Sequence, residues 1–399
     1  MTEASAQPTA TSSTVRAPRR KIAEADVQLF VEGMFANDMH ARRVLSLGHG
    51  VLGVLHAASL AIHAIGQGLA AARGGSAKHA TKQVDRMLAN VGVTLSRLLP
   101  SWVRFVVAAR TEIMVTLDWT EFDADGHATI ALNLVTSHGR ATPLLWKTVD
   151  KSDLKHQRNA HEDRLVELLR EIVPIPVRIT LLADRGFGDQ KLYAFLGELK
   201  IDYVIRFRQG IVVTDPSGRA FPAKDWVPLS GQVRTIRDAR VTADEAPVPM
   251  VVCTKKRGMK EAWCLATSRT DLGGAGVVKA YAKRFTTEEN FRDTKDIKFG
   301  LGLSATHIGD PSKRDRLLLV CALAQALLTL LGAASEATGL DRLLKVNTSK
   351  KRTHSLFRQG LFWYGAIPEM REDRLKTLLD AFETILREHA VFTEIFGRI

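Results

Sequence analysis

Apolar residues recur at helical spacing in AEADVQLFVEGMF and again in TKQVDRMLANVGVTLSRLL, so residues 22 to 110 read as an α-helical unit. Gly74 and Gly75 divide it, and Ser76 can cap the helix that follows through its hydroxyl. From Glu112 the period changes. IMVTLDW, ATIALNLV and TPLLWK are short apolar or alternating runs separated by the turn signals DADG and SHGR, which predicts a three-strand meander. A charged helix from about Asn159 to Ile172, a strand VRITLLAD, a helix from Gln190 to Leu199 and a strand DYVIRF complete a βββαβαβ order, a mixed α/β sheet. Residues 210 to 270 break this alternation. Gly, Pro and Asp turns part the runs IVVTD, GQVRTI, MVVCTK and EAWCLAT, the pattern of an inserted antiparallel β unit. Beyond Gly276 the chain reads as helical to its end, interrupted between Lys345 and Gly360.

The segment Leu317 to Leu331 is the most apolar, but its roughly 15 residues, broken by Gln325, fall short of the roughly 20 needed to span a bilayer. It reads as a buried core helix, and no membrane partner is expected. A chain of 399 residues exceeds one ordinary domain. With 56 Lys and Arg against 43 Asp and Glu, its net charge of +13 points to a polyanionic partner, nucleic acid or an acidic membrane surface. Residues 1 to 21, rich in Ser, Thr and Pro and without an apolar stretch, read as a disordered basic arm rather than a secretory signal. Cys253, Cys264 and Cys321 are an odd count with no C-x-x-C pair, so neither a disulfide framework nor a zinc knuckle is indicated, and a reducing, cytoplasmic compartment fits best.

Candidate chemistry concentrates between Val277 and Lys298. On one continuous helix Tyr281, Arg284, Glu288, Arg292 and Lys295 would share an arc of roughly 80°. A solvated stripe with i,i+4 pairs would look the same. Two carboxylates elsewhere shift the balance. Asp118 reads as the end of the first strand and Asp184 as the end of the fourth, at the mouth where strand C-termini gather active sites. With Glu288 they are hard oxygen ligands suited to a pair of Mg²⁺ ions, with the neighbouring cations on phosphates. Asp123 and Asp125 belong to a turn, Asp189 suits a helix N-cap, and Glu289 is turned about 100° from Glu288. His127, His138, His156 and His161 lack metal-ligand spacing and read as surface or structural residues.

Asp118 in DWTEF, Asp184 in ADRGFGD and the motif Y-x2-R-x3-E-x6-K at Tyr281, Arg284, Glu288 and Lys295 resemble the DDE-type bacterial insertion-sequence transposases, in the branch with a β insertion. The resemblance covers about Glu112 to Lys298 and implies a ribonuclease-H-like core flanked by helical regions. It divides the chain into the arm 1–21, a DNA-end-binding domain 22–110, a catalytic core in two parts, 111–209 and 271–310, the insertion 210–270, and a helical region 311–399 for dimerisation and DNA contacts. It implies a metal-binding triad of Asp118, Asp184 and Glu288, two Mg²⁺ ions for which Mn²⁺ can substitute, and phosphate contacts from Tyr281, Arg284 and Lys295, with Arg292 beside them. Trp263 either stacks on a flipped base or is a core tryptophan of the β unit. The basic runs Arg16 to Lys21 and Lys345 to Arg358, the latter with Lys350, Lys351 and Arg352, would contact backbone phosphates. Double-stranded DNA with terminal inverted repeats, target DNA and a second copy of the chain are the implied partners. The implied activity is cut-and-paste transposition, through a hairpin by the resemblance alone. The rivals are a transposase-derived DNA-binding protein without chemistry and a two-metal nuclease that cuts without joining.

Overall fold

The computed structural model describes residues 22–298 and 300–387; the expected arm 1–21 and the basic run Arg16 to Lys21 lie outside the described residues. Five helices come first: α1 (Glu24–Phe35), α2 (Ala41–Ala57), α3 (Ile62–Arg73), α4 (Ala77–Ala89) and α5 (Leu95–Val107). Gly74 ends α3 at φ 70°, a left-handed position that suits glycine. Ser76 does sit at the N-cap of α4, but its hydroxyl makes no capping hydrogen bond. The second periodic run is two helices, not one. Asn90 stops α4 because its side-chain oxygen accepts from the Gly92 N–H at 2.8 Å, an Asx turn that competes with the helix. Buried His49 on α2 ties this region together, with Glu24 and Gln83 each 2.7 Å from one of its ring nitrogens.

The meander follows as β1 (Glu112–Phe122), β2 (His127–Leu134) and β3 (Thr142–Asp150), then α6 (Arg158–Ile172), β4 (Arg178–Ala183), α7 (Gln190–Glu198) and β5 (Asp202–Arg206). This is the βββαβαβ order read from the sequence. Next come β6 (Val212–Thr214), β7 (Ala220–Pro222), β8 (Arg234–Val241), β9 (Ala246–Thr254) and β10 (Trp263–Thr267). They pair antiparallel with one another, as expected of the insertion, and they extend the core sheet. Strand β10 pairs antiparallel with β5, so a single sheet runs β3-β2-β1-β4-β5-β10-β9-β8-β6-β7. Without β10 the apolar β5 would present an open edge.

The remaining helices are α8 (Gly273–Ala282), α9 (Phe285–Lys295), α10 (Pro311–Ala337), α11 (Leu356–Ala366) and α12 (Glu372–Arg387). The single helix expected from Val277 to Lys298 is broken at Lys283 and Arg284, whose N–H groups reach back only three residues, to Ala280 and Tyr281. The interruption after Lys345 closes earlier than the sequence suggests. Ser355 caps α11, its hydroxyl accepting from the Arg358 N–H, so Gly360 lies inside the helix.

Helix α10 is 27 residues long and apolar enough to cross a bilayer, longer than the sequence reading, yet 89% of its most apolar window is buried within the protein. It packs against α2, α4, β3, α11 and α12, which places the N-terminal helices and the sheet around one core. Fully buried Arg314 near its start pairs with Asp125 and lies 3.9 Å over the Phe122 ring. The Trp102 indole donates to the Pro143 carbonyl at 2.8 Å, and the Leu60 N–H to the Leu301 carbonyl at 2.7 Å, so α5 and the α2–α3 turn are also fastened to the sheet side.

The α10–α11 crossing depends on two glycines. A Cβ at Gly360 would overlap the Leu328 carbonyl oxygen, and one at Gly332 the Leu356 carbonyl. Backbone cannot swing aside as a side chain can. Gly360→Ala is expected to destabilise the protein by about 3 kcal/mol, whereas Gly365→Ala on the same helix, with nothing within 4 Å, should be neutral or slightly stabilising. Urea midpoints of the two variants decide the matter, and equal midpoints would refute the close crossing.

Candidate active site

The parallel pairing of β1 with β4 ends at Leu117 opposite Ala183, so the next residue on each strand is an aspartate. Asp184 does end its strand, as expected. Asp118 does not, because β1 runs on to Phe122 paired with β2 alone. The carboxylates still share one sheet mouth. Each is oriented by a backbone N–H of the following residue: Trp119 donates to Asp118 Oδ1 at 2.9 Å, and Arg185 to Asp184 Oδ1 at 2.7 Å. Glu288 comes from the first turn of α9.

A single guanidinium joins the three. Arg284 places Nη1 3.2 Å from Asp118 Oδ2, and Nη2 2.7 Å from Glu288 Oε1 and 3.9 Å from Asp184 Oδ2. Its side chain is 7% exposed, against 24% for Asp118, 36% for Asp184 and 49% for Glu288. Burial lifts the Asp118 carboxyl above its ordinary range; Arg284 pulls it back in part, and Asp184 and Glu288 push it further up. Burial works against the charge on Arg284, but Tyr281 and the three carboxylates outweigh it and raise its pKa.

The Tyr281 hydroxyl donates to Asp184 Oδ1 at 3.2 Å, and its burial raises the phenol well above its usual range. Lys295, one face along α9, donates to Thr120 Oγ1 at 3.1 Å and to the Glu121 carbonyl at 2.8 Å, beside β1 just past Asp118. Arg292 departs from the expected arc: it pairs with Glu289 and is 60% exposed. The break before α9 separates Tyr281 from the later positions, so the five do not lie on one straight stripe. Half-buried Trp263 packs edge-on against Tyr281, ring centroids 4.9 Å apart, and stacks on exposed Phe285 at 6.2 Å. That position at the mouth is compatible with both of its readings.

The basic run lies elsewhere, against the loop after β2. Lys350 and Lys351 are exposed, but Arg352 makes two 2.7 Å bonds to Glu336 and a third to the Ser137 carbonyl. The rejected carboxylates are engaged outside the site. Asp189 caps α7 through the Lys191 N–H, Asp123 pairs with Lys151, Asp125 with Arg314, and Glu289 with Arg292. Among the histidines, His127 and His138 are buried, and burial pushes the His138 imidazole down to about 3, which keeps it neutral.

Three features escaped the sequence reading. Arg206 ends β5 with Nη1 3.9 Å from Asp184 Oδ1, and a charged residue closing an apolar strand is the same signal that exposed Asp184. Glu162 on α6 accepts from the Trp119 indole at 2.7 Å. The third is a buried Thr116–Thr287 hydrogen bond of 2.7 Å, which fixes α9 against β1 two residues from Asp118 and one from Glu288. Arg140 holds the far side of α9 through Asp293 at 2.5 Å and Glu289 at 3.6 Å. Thr116→Val should destabilise by about 1–3 kcal/mol, because it strands the Thr287 hydroxyl, while Thr116→Val with Thr287→Val should recover most of the loss. Additive denaturation shifts in the pair would deny the bond.

Among the described residues no three of Asp, Glu, His and Cys stand together as a ready metal site. Arg284 occupies the space between the triad. The donor chemistry nevertheless fits a hard divalent cation: three carboxylates from three separate elements converge on one positive group. The family described as transposase DDE domain matches residues 118–325, just over half of the chain, beginning on Asp118 and including Asp184 and Glu288. No curated protein matches the chain.

Proposed function

We propose, from the premise that the chain belongs to the transposase DDE domain family, that it catalyses cut-and-paste transposition of an insertion sequence. The observation that carries this reading is the convergence of Asp118, Asp184 and Glu288 on Arg284 at the mouth of the sheet. Members of this family act on DNA and use divalent metal ions. Asp118, Asp184 and Glu288 would hold two Mg²⁺ ions, or Mn²⁺ in their place. When bound, the ions would polarise the phosphate and ease deprotonation of the attacking oxygen.

The chain's own groups orient the reaction. The Trp119 and Arg185 N–H groups fix the two aspartates, and Arg284, Tyr281 and Lys295, which stand beside those carboxylates and β1, would bind phosphate oxygens. Water adds across the phosphodiester at the element's end, leaving a 3′-hydroxyl on the element and a 5′-phosphate on the flank. That hydroxyl attacks the opposite strand, displaces the flanking 3′-hydroxyl and closes a hairpin, with Trp263 stacking on a flipped base. A second hydrolysis reopens the hairpin, and the freed 3′-hydroxyl attacks a target phosphodiester, joining to its phosphate and displacing a 3′-hydroxyl on the target strand. Helices α1 to α5 bind the inverted repeats, Lys350, Lys351 and Arg352 add backbone contacts, and two copies pair two ends. The protein works in the cytoplasm on the nucleoid.

The test is incubation with Mg²⁺ and a supercoiled donor bearing the element's own ends. Excision followed by joining supports the proposal. Tight binding without cleavage would replace it with a DNA-binding protein, and cleavage without joining with a nuclease.

A further inference from the structure

The β9–β10 hairpin ends in the turn Lys256-Arg257-Gly258-Met259, closed by the Met259 N–H on the Lys256 carbonyl, with Gly258 at φ 88°, where a side chain would be strained. Around it stand Lys255, Lys256, Arg257 and Lys260, all exposed, and none has an ion pair among the described residues. The adjacent acid is Glu261, which is exposed but already engaged by two arginines at the sheet mouth. Its Oε2 accepts from Arg206 Nη2 at 2.6 Å and from Arg185 Nη1 at 3.1 Å. Arg206 is itself 3.9 Å from Asp184, and Arg185 follows it in sequence. Gln209 fastens the same strand end by donating to the Ala262 carbonyl at 3.1 Å. Four unpaired cations therefore project from a hairpin whose base is tied to a carboxylate of the site. Other surface cations are neutralised by nearby acids, as at Arg164 with Glu167 and Glu171 or Arg178 with Asp202 and Asp271, which the tip lacks.

We propose that the hairpin tip, Lys255 to Lys260, is a clamp for the phosphate backbone of duplex DNA leaving the carboxylate site. The inference rests on the transposase reading and adds a surface to it. The partner is a polyanion of fixed charge spacing, and the tip reads no bases, since lysines on a turn make point-charge contacts with phosphates. Two duplexes present that backbone, the end being cut and the DNA receiving it.

The experiment measures the salt dependence of binding to a short labelled duplex of mixed sequence and to a covalently closed circle of the same composition. The full chain is compared with the variant Lys255→Ala, Lys256→Ala, Arg257→Ala, Lys260→Ala. Each phosphate contact releases counterions, so the variant's slope of log affinity against log salt should be shallower by about 3.6, or about 0.9 per cation. A change with the linear duplex alone assigns the clamp to the end being cut, and a change with both assigns it also to the DNA receiving that end. An unchanged slope in a variant that melts like wild type overturns the clamp. Lys255→Ala alone, expected to flatten the slope by about 0.9, keeps the question decidable if the fourfold variant does not fold. Absence of salt-dependent binding by the wild type would overturn the transposase reading as well, so the two failures are distinct.

Discussion

Glu288→Gln is expected to slow strand cleavage by at least about a thousandfold, about 4 kcal/mol of transition-state stabilisation, while leaving duplex affinity within about twofold. Glutamine preserves the volume and one acceptor oxygen, so Arg284 keeps a hydrogen-bond partner. What disappears is one of three negative charges at the sheet mouth. Glu289→Gln is the matched control, because Glu289 pairs with Arg292 and Arg140 on a different face of α9. Single-turnover cleavage and fluorescence anisotropy separate chemistry from binding. A Glu288→Gln rate within tenfold of wild type would remove Glu288 from the triad.

The second large effect concerns the protein without metal. Arg284→Ala leaves Asp118, Asp184 and Glu288 facing one another with no intervening cation. Breaking a fully buried ion pair costs about 3–5 kcal/mol, but these carboxylates are a quarter to a half exposed, so a loss of about 2 kcal/mol is expected. The pH dependence has a definite sign. Asp118 has a raised folded-state pKa, so it favours the fold when protonated and that contribution is lost as pH rises through the folded value. Removing Arg284 raises the pKa further, so the deficit of the variant is largest at neutral pH and shrinks on acidification. Divalent ions should restore what the guanidinium supplied. Mg²⁺ is expected to raise the melting temperature of Arg284→Ala well above any shift in wild type, since under the proposed metal role the ion and the guanidinium would compete for the same oxygens. Equal shifts in the two proteins would show that they do not share that space.

Much of this architecture was legible because periodicity reports burial. The meander, the parallel β4 and β5 and the core helix α10 each follow from runs whose apolar faces the structure buries. Register and pairing were less accessible. That β10 joins β5 depends on an edge distant in sequence, and nothing local in EAWCLAT distinguishes an inserted unit from a continuing sheet. Asp118 looked like a strand end because a charge interrupts VTL, yet β1 continues since β2 still offers it hydrogen-bond partners. The three carboxylates that meet at Arg284 stood out by residue type and order. The position of Arg284 among them did not, because a uniform helix through Val277–Lys298 hides the turn that makes Arg284 the N-cap of α9. The Thr116–Thr287 bond joins positions 171 residues apart and left no periodic trace.

The shared seating of the N-terminal helices and the sheet on α10 has a consequence for the nucleic acid. In the proposed reaction α1 to α5 grip the repeat while the carboxylates wait at the sheet mouth, and one packed core fixes the offset between them. A bound end that does not follow this fixed path must be distorted, and the deformation energy falls on the duplex. Flexible pyrimidine–purine steps between the gripped sequence and the cut lower that energy. Selection among ends would then operate at base pairs that no side chain touches.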